Sequence, residues 1–255
     1  MISIKSKSEI EFMRHAARIL SACFKELEPM FVEGVRTIEL DQLAEAFFNK
    51  NNSIPSFKGV PGMMHGAPDY PACLCISVND EVIHGLPGNR KLQNGDIVSI
   101  DMGVIYKGYH SDMARTYCVG EVSQEAKRLI QVTEESFFKG ITEALPGKRI
   151  SDISAKIQEY IEKAGFSVVR DFVGHGIGTE LHEPPQIPNF VSRDRGPKLQ
   201  AGMTLAIEPM VNAGHSDVYF LANKWTVATK DHSLSAHYEN TILICEGEPE
   251  ILTIM

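Results

Sequence analysis

A repeated segment, with one copy in each half of the 255-residue chain, constrains the fold more than any other feature. Segment 92–103 reads LQNGDIVSIDMG and segment 199–210 reads LQAGMTLAIEPM. Leu, Gln, Gly, Ile and an acid recur at the same spacing, and the acid is Asp101 in the first copy and Glu208 in the second. A duplicated unit repeats its turns and its core positions, so this match predicts two structurally related halves.

Other short motifs recur in the same order along the two halves. They pair Gly34-Val35-Arg36 with Gly147-Lys148-Arg149, His110-Ser111-Asp112 with His237-Tyr238-Glu239, and, more weakly, His84-Gly85 with His175-Gly176. No linker of distinct composition separates the halves. We therefore expect one domain over residues 1–255, with pseudo-symmetric halves at about 1–120 and 121–255.

The hydrophobic periodicity predicts two helices followed by strands in each half, which is an α+β fold. Helices are expected from Ser8, with Glu11 completing a capping box, to about Pro29, and over 37–49, 124–144 and 152–164. Strands are expected over 72–79, 96–106, 111–119, 203–211 and 236–244, and a long loop over 51–70. The predicted architecture is an antiparallel sheet flanked by helices.

Composition limits the partners and the compartment. The 33 acidic and 25 basic side chains give a net charge of −8, which argues against nucleic acid as the main partner. No apolar run is long enough for a signal peptide or a membrane span, so no membrane association is expected. Five cysteines without zinc-site spacing favour free thiols in a reducing cytoplasm.

Four acids lie in or beside apolar strand segments: Asp101, Asp112, Glu208 and Glu239. A buried ionised carboxylate is costly unless it is paired or coordinates a metal. For one such acid, an ion pair is the simpler explanation, and Arg115 is placed to pair with Asp112. For four acids arranged symmetrically, with a His-Gly in each half, a shared metal site is the better explanation.

The predicted ligand set is rich in oxygen. Four carboxylates and His175 suit Co, Mn, Fe or Zn ions, and two divalent ions would neutralise the four charges. A metal pair activates water and polarises a carbonyl, which indicates hydrolysis, and amides are the expected substrates. Other hydrolase motifs fit poorly, since His182-Glu183 is followed by Pro184 and Pro185 rather than by a helical HExxH.

Five motifs, in order, resemble those of the type I methionine aminopeptidases, which have the pita-bread fold. They are VIHGLP (82–87), IDMGVIYKGYHSDMART (100–116), GHGIGTELHEPP (174–185), LAIEPM (205–210) and SAHYENT (235–241). The resemblance covers nearly the whole chain. It implies that the metal ligands are Asp101, Asp112, His175, Glu208 and Glu239, with Asp112 and Glu239 bridging two ions.

The resemblance also implies roles around the scissile bond. His84 would contact the peptide nitrogen or carbonyl, His182 would stabilise the developing oxyanion, and Glu208 would carry a proton from water to the leaving amine. The methionine pocket would be lined by Tyr70, Cys75, Leu181 and Trp225. Leu181 stands where the family often has Phe, and segment 57–68 (FKGVPGMMHGAP) also departs from the commoner form.

The implied activity is removal of the N-terminal methionine from peptides and nascent chains that have a small second residue. The protein would act in the cytoplasm as a monomer, with transient ribosome contact. Two alternatives stay open: a proline-directed or broad aminopeptidase with the same metal site, and a non-enzymatic pita-bread binding protein. The second alternative would be expected to lose metal ligands or to gain basic tails, and this acidic chain keeps all five ligands.

Overall fold

Two helices precede the main strands in each half, as the periodicity predicts. The computed structural model describes residues 2–254. Within this range the helices are α1 (Lys7–Leu27), α2 (Thr37–Lys50), α3 (Gln124–Ile141) and α4 (Ile150–Lys163), with a 3-10 turn at Glu28–Met30. None of them is long and apolar enough to cross a membrane.

The start of α1 corrects the predicted capping box. Ser6, not Ser8, is the N-cap: the Glu9 N–H donates to the Ser6 hydroxyl, and the Ser6 N–H donates to the Glu9 carboxylate at 2.6 Å. Both serines are followed three residues later by Glu, so the spacing alone fits either one. The helix starts at the earlier box, where residue 6 still has extended backbone angles.

The strands form one large and two small antiparallel sheets in the described part of the chain. In chain order the strands are β1 (Ile54–Pro55), β2 (Leu74–Val78), β3 (Glu81–Ile83), β4 (Ile97–Tyr106), β5 (Tyr109–Cys118), β6 (Ser167–Val168), β7 (Gly174–Gly176), β8 (Glu183–Ile187), β9 (Thr204–Ile207), β10 (Met210–Asn212), β11 (Val218–Phe220), β12 (Val227–Thr229), β13 (Ser235–His237), β14 (Glu239–Leu243) and β15 (Glu250–Ile251). The large sheet has the order β1-β4-β5-β14-β9-β7-β8, with β2 on β4 and β15 on β14. The small sheets are β13-β10-β6 and β11-β12-β3.

Two strands predicted as continuous are each divided between two sheets. Residues 203–211 form β9 in the large sheet and β10 in a small one, and residues 236–244 form β13 and β14 in the same way. Pro209 has no N–H to donate to a ladder, which favours a break there. The apolar pattern runs across both breaks, so periodicity alone did not reveal them. Glu208 and Glu239 lie at these two points.

The internal repeat is confirmed by matching hydrogen bonds in the two halves. The Gly34 N–H donates to Leu92 O at 2.8 Å, and the Gly147 N–H donates to Leu199 O at 2.9 Å. Both glycines have a positive φ, +92° and +86°, a conformation that glycine adopts without strain. The turn preceding α2 is therefore built in the same way as the turn preceding α4.

Strand alternation directs one face of the large sheet towards the helices and places the candidate metal ligands on the other face. Val98, Ile100 and Met102 pack with α1 and α2, whereas Leu205 and Ile207 pack with α3 and α4. Side chains alternate between faces along a strand. Asp101 and Glu208, one position out of phase with their apolar neighbours, therefore point away from these helix-packed clusters.

The contact between α3 and α4 generates a stability prediction. A Cβ at Gly140 would lie 2.5 Å from Ile157 Cγ1 and 2.8 Å from its Cδ1. Overpacking of a dense core costs about 1–3 kcal/mol, more than the gain of about 0.5–1 kcal/mol in helix propensity. We expect Gly140→Ala to lower the free energy of unfolding, measured by urea denaturation of the metal-free protein.

Gly88→Ala is the matched control, because Gly88 has no heavy atom within 4 Å of the added Cβ and no positive φ. Its unfolding free energy should stay within about 0.5 kcal/mol of the parent value. A Gly140→Ala protein as stable as the parent would show that Ile157 moves aside without cost.

Candidate metal centre

One cavity of about 210 Å³ is lined by all the side chains that the sequence singled out. They are Tyr70, Cys75, His84, Asp101, Asp112, His175, Leu181, His182, Glu208, Trp225 and Glu239. Phe57, Val60, Pro61 and Met63 complete the lining and come from the segment 57–68. We call this space the carboxylate cavity.

Residues far apart in sequence reach the carboxylate cavity because of the sheet order. Asp101 on β4 lies opposite Ala114 of β5, and Glu239, the first residue of β14, lies opposite the same Ala114. His175 on β7 lies opposite Ala206 of β9. The neighbouring strands β4, β5, β14, β9 and β7 thus place the acids and the histidine side by side.

The candidate ligand atoms fall into two compact groups. Asp112, His175 and Glu239 offer atoms that all lie within 4.8 Å of one another, and so do Glu208, His237 and Glu239. His175 Nε2 is 3.5 Å from Glu208 Oε1, which links the two groups. Glu239 belongs to both groups.

Burial raises the pKa values of all four carboxyl groups, and repulsion between charges raises three of them further. Burial is the largest cause for each of them, and the charge of Asp112 adds to it at Asp101, Glu208 and Glu239. The pKa of Asp112 rises to about 7, chiefly through burial. Such groups hold protons at neutral pH unless a positive charge compensates them.

The unpaired atoms of the site fit divalent cations. Asp101 Oδ1, Asp112 Oδ1 and Glu239 Oε1 are buried without a hydrogen-bond partner. Burial lowers the pKa of His175 to about 3, so its imidazole is a neutral nitrogen donor at physiological pH. Carboxylate oxygens with a neutral imidazole are ligands for Mn, Fe, Co or Zn.

Arg115 does not pair with Asp112, contrary to the simpler explanation offered by the sequence. Its guanidinium donates to Glu239 O at 2.6 Å and to Asn240 Oδ1 at 2.7 Å, and it stacks on the Tyr238 ring. Positions 112 and 115 are an odd number of residues apart on β5, so their side chains lie on opposite faces. Arg115 holds the backbone of Glu239 from behind the cavity.

His237 is a site residue that sequence reasoning used only as part of a repeat. Its side chain is 2 % exposed, and its Nε2 lies 3.9 Å from Glu208 Oε2 and 3.9 Å from Glu239 Oε2. No hydrogen-bond partner reaches this nitrogen. The available signal was its position two residues before Glu239, which favours the same side of an extended chain.

His84 has a strained backbone next to the apolar end of the cavity. Its φ is +58°, in the left-handed region that side chains other than Gly, Asn and Asp seldom adopt. A Cβ at Gly85 would lie 2.1 Å from Ile76 O, so this segment passes very close to β2. Burial lowers the pKa of His84 to about 4, which keeps its ring neutral. Strain of this kind clusters at functional sites.

The predicted methionine pocket forms an apolar cluster at this end. The Tyr70 and Trp225 rings pack edge to face with centroids 4.9 Å apart, and Leu181 and Cys75 belong to the same cluster. The Trp225 indole N–H donates to Pro68 O at 2.9 Å. The four predicted pocket residues are therefore together, and buried.

His182 lies at the exposed side of the cavity. Its ring packs perpendicular to that of His175, with centroids 4.5 Å apart. Desolvation lowers its pKa, so a neutral ring is favoured near pH 7. His182 is thus next to the candidate ligands and open to solvent.

The known proteins to which this chain is similar are metallopeptidases. The pattern of metallopeptidase family M24 matches residues 11–246. The chain is 55% identical over 255 residues to the methionine aminopeptidase of Clostridium perfringens, covering 100% of both, and 50% identical over 253 residues to methionine aminopeptidase 1 of Bacillus subtilis, covering 99% of both. The crystal structure of the methionine aminopeptidase from Thermotoga maritima is similar with a TM-score of 0.94 at 45% identity, covering 100% of both chains.

The raised pKa values predict that metal binding strengthens as the pH rises. A carboxyl group must lose its proton before it binds metal. Below the pKa of that group, each rise of one pH unit therefore raises the apparent metal affinity about tenfold for every proton that is displaced. In the metal-free protein, the fold favours the protonated form of the same groups. The free energy of unfolding therefore falls as the pH rises through their raised pKa values. We expect the rise in Tm on adding Mn²⁺ to chelator-treated protein to be larger at pH 8 than at pH 6.

Asp112→Asn serves as the control, because it removes the carboxyl group with the pKa of about 7. Its Mn²⁺-dependent rise in Tm should be smaller, and less dependent on pH. An equal rise at both pH values in the parent protein would contradict the prediction.

Proposed function

The chain belongs to metallopeptidase family M24 and, within it, to the methionine aminopeptidases, and we propose that the carboxylate cavity is its active site. The enzyme removes N-terminal methionine from peptides and uses divalent metal. The observation that carries the assignment of the site is the meeting of two buried carboxylates, two half-buried carboxylates and a neutral imidazole beside an apolar pocket. Both halves contribute, which supports our proposal that residues 1–255 act as a single catalytic domain.

We propose that two divalent ions occupy the cavity, held by Asp101, Asp112, His175, Glu208 and Glu239. Two ions balance four carboxylate charges, and Glu239 belongs to both compact ligand groups, as a bridging ligand would. When bound, such a pair polarises the first peptide carbonyl and lowers the pKa of a water towards about 7. The metals proposed are Co, Mn, Fe or Zn, in agreement with the donor atoms.

The chain's own residues then bind the substrate and move the proton. The methionine side chain enters the cluster of Tyr70, Cys75, Leu181 and Trp225, which excludes water from the thioether. The Glu208 carboxylate accepts the proton of the attacking water and passes it to the leaving amine.

Two histidines are proposed to act on the scissile amide from either side. His182, on the exposed side, donates to the oxyanion that develops on the first carbonyl. His84, held by its strained backbone, contacts the peptide nitrogen or carbonyl. The perpendicular packing of His182 on His175 supports this placement, because it sets His182 beside a candidate metal ligand.

The remaining proposals concern the physiological setting. We infer that the substrates are nascent chains with a small second residue, and that the enzyme works as a monomer in the cytoplasm with transient ribosome contact. The five cysteines, all free in the structure, support a reducing compartment.

The role of His182 predicts a loss of turnover without a loss of metal. We expect His182→Ala to lower kcat by at least about tenfold, because one donor to the developing oxyanion disappears. Steady-state kinetics with a Met-Ala peptide measures kcat, and elemental analysis measures bound metal. His215→Ala is the control, since His215 is exposed and lies outside the cavity. Parent-like kcat in His182→Ala would remove His182 from the mechanism.

Substrate choice and metal dependence are tested in one experiment. After chelation, re-addition of Mn, Fe, Co or Zn should restore methionine release from Met-Gly and Met-Ala peptides. Release should be slower from Met-Leu, because its second residue is large. Pro-Gly should not be cleaved, because the apolar pocket accepts an unbranched thioether chain. Preferential cleavage of Pro-Gly would favour the proline-directed alternative. Restoration at one ion per chain would contradict the proposed metal pair.

A further inference from the structure

The segment that precedes α1 contacts the loop that carries His182. Lys5 Nζ is 2.5 Å from Glu183 Oε2, and the side chains are only 5% and 11% exposed. The Lys5 backbone N–H donates to Gly202 O at 2.8 Å. The Ser3 hydroxyl donates to the same Glu183 oxygen at 2.7 Å. Residues 2–6 thus lie across the second half of the chain, and a buried cation meets the residue that follows His182.

The Glu183 carboxylate is the centre of the loop 178–183. Its Oε1 accepts from the Glu180 N–H at 3.3 Å and from the Thr179 hydroxyl at 3.4 Å. The loop is closed by the Gly178 N–H, which donates to Glu180 O at 3.1 Å. One carboxylate therefore ties three positions of the loop together, and Lys5 holds that carboxylate.

The packing leaves this loop little freedom while Lys5 is in place. A Cβ at Gly178 would lie 2.4 Å from Lys5 Cε and 2.5 Å from Glu183 Oε1. At the other end, Glu183 begins β8 and lies opposite Gly176 of β7, the residue after His175. His182 is thus fixed between a turn closed around Glu183 and the strand pair that carries a candidate ligand.

The charge state supports a strong contact. Burial alone would raise the pKa of Glu183, but hydrogen bonds from Lys5 and Ser3 outweigh it and lower the pKa. Glu183 is therefore ionised at neutral pH. Removing one partner of a buried pair leaves the other charge uncompensated, so the remaining carboxylate would move towards water. Movement of about 1 Å at a catalytic group is enough to lower a rate substantially.

We propose that Lys5 is a positioning residue for the reaction: by holding the Glu183 carboxylate, it fixes the loop 178–183 and aims His182 at the substrate. The proposal rests on the proposed role of His182. Lys5 itself does not line the cavity, and its side chain contacts Ser3 and Glu183.

The test is a double-mutant cycle between Lys5→Met and His182→Ala, with kcat and KM measured on a Met-Ala peptide. Met keeps most of the length of Lys and removes the charge. We expect Lys5→Met to lower kcat about five- to twentyfold and to change KM less than about twofold. In the His182→Ala background the same change should lower kcat less than about twofold, because the loop then has no catalytic ring to aim.

Matched variants separate positioning from general stability. Lys148→Met removes a pair with Glu143 that lies outside the cavity, and its kcat should equal that of the parent. Ser3→Ala removes the second donor to Glu183 and should show the same coupling at smaller amplitude. If Lys5→Met fails to fold, the cycle with Ser3→Ala decides the outcome.

Each result is decisive. An unchanged kcat in Lys5→Met, or an equal fractional loss in both backgrounds, overturns the positioning role. A parent-like kcat in His182→Ala alone overturns the proposed mechanism instead, so the two failures are distinguishable. The Tm of each variant is measured as well. If Lys5→Met loses activity only in proportion to its fall in Tm, and Lys148→Met loses as much activity at the same Tm, the proposal is also overturned.

Discussion

Four carboxyl groups that line one cavity, two of them buried and two half-buried, are the constraint on which the structure depends. Burial disfavours the ionised form of each carboxyl group, and the charge of Asp112 disfavours it further at the other three. Such a group of acids is compatible with a folded protein only if protons or cations neutralise it. The sheet order, the strand breaks and the half-buried Arg115 all place or support these acids. Metal dependence is therefore a consequence of how the protein folds as well as of its chemistry.

The division of strands between sheets explains how a duplicated unit forms a single site. β9 and β14 lie side by side in the large sheet, and their continuations β10 and β13 pair in a small one. Glu208 and Glu239 are at the points of departure, where the chain leaves the ladder. Both carboxylates therefore lie where the large sheet and a small sheet meet, and both line the carboxylate cavity.

The four acids of the site were predictable from local signals in the sequence, whereas its two catalytic histidines and its pocket residues were predicted from the family resemblance. Asp101 lies between apolar residues at strand spacing, and Glu208 repeats that setting after an equivalent turn. All eleven residues singled out line the cavity. The predictions failed where local patterns are ambiguous: two S-x-x-E boxes compete at the start of α1, and the apolar alternation hides the breaks at Pro209 and Tyr238. The salt bridge offered as the simpler explanation for Asp112 does not form, because the side chains of Asp112 and Arg115 lie on opposite faces of β5.

The sequence by itself determined the types of ligand, the duplicated α+β unit and the face on which each acid lies, because these follow from residue chemistry and from a period of two along a strand. Only the tertiary structure decided which of these groups meet. The proximity of His237 to Glu208, the support of Glu239 by Arg115, and the contact of Lys5 with Glu183 join residues across strands or across 178 positions of the chain. Sheet order and close packing create these contacts, and no local pattern in the sequence encodes them.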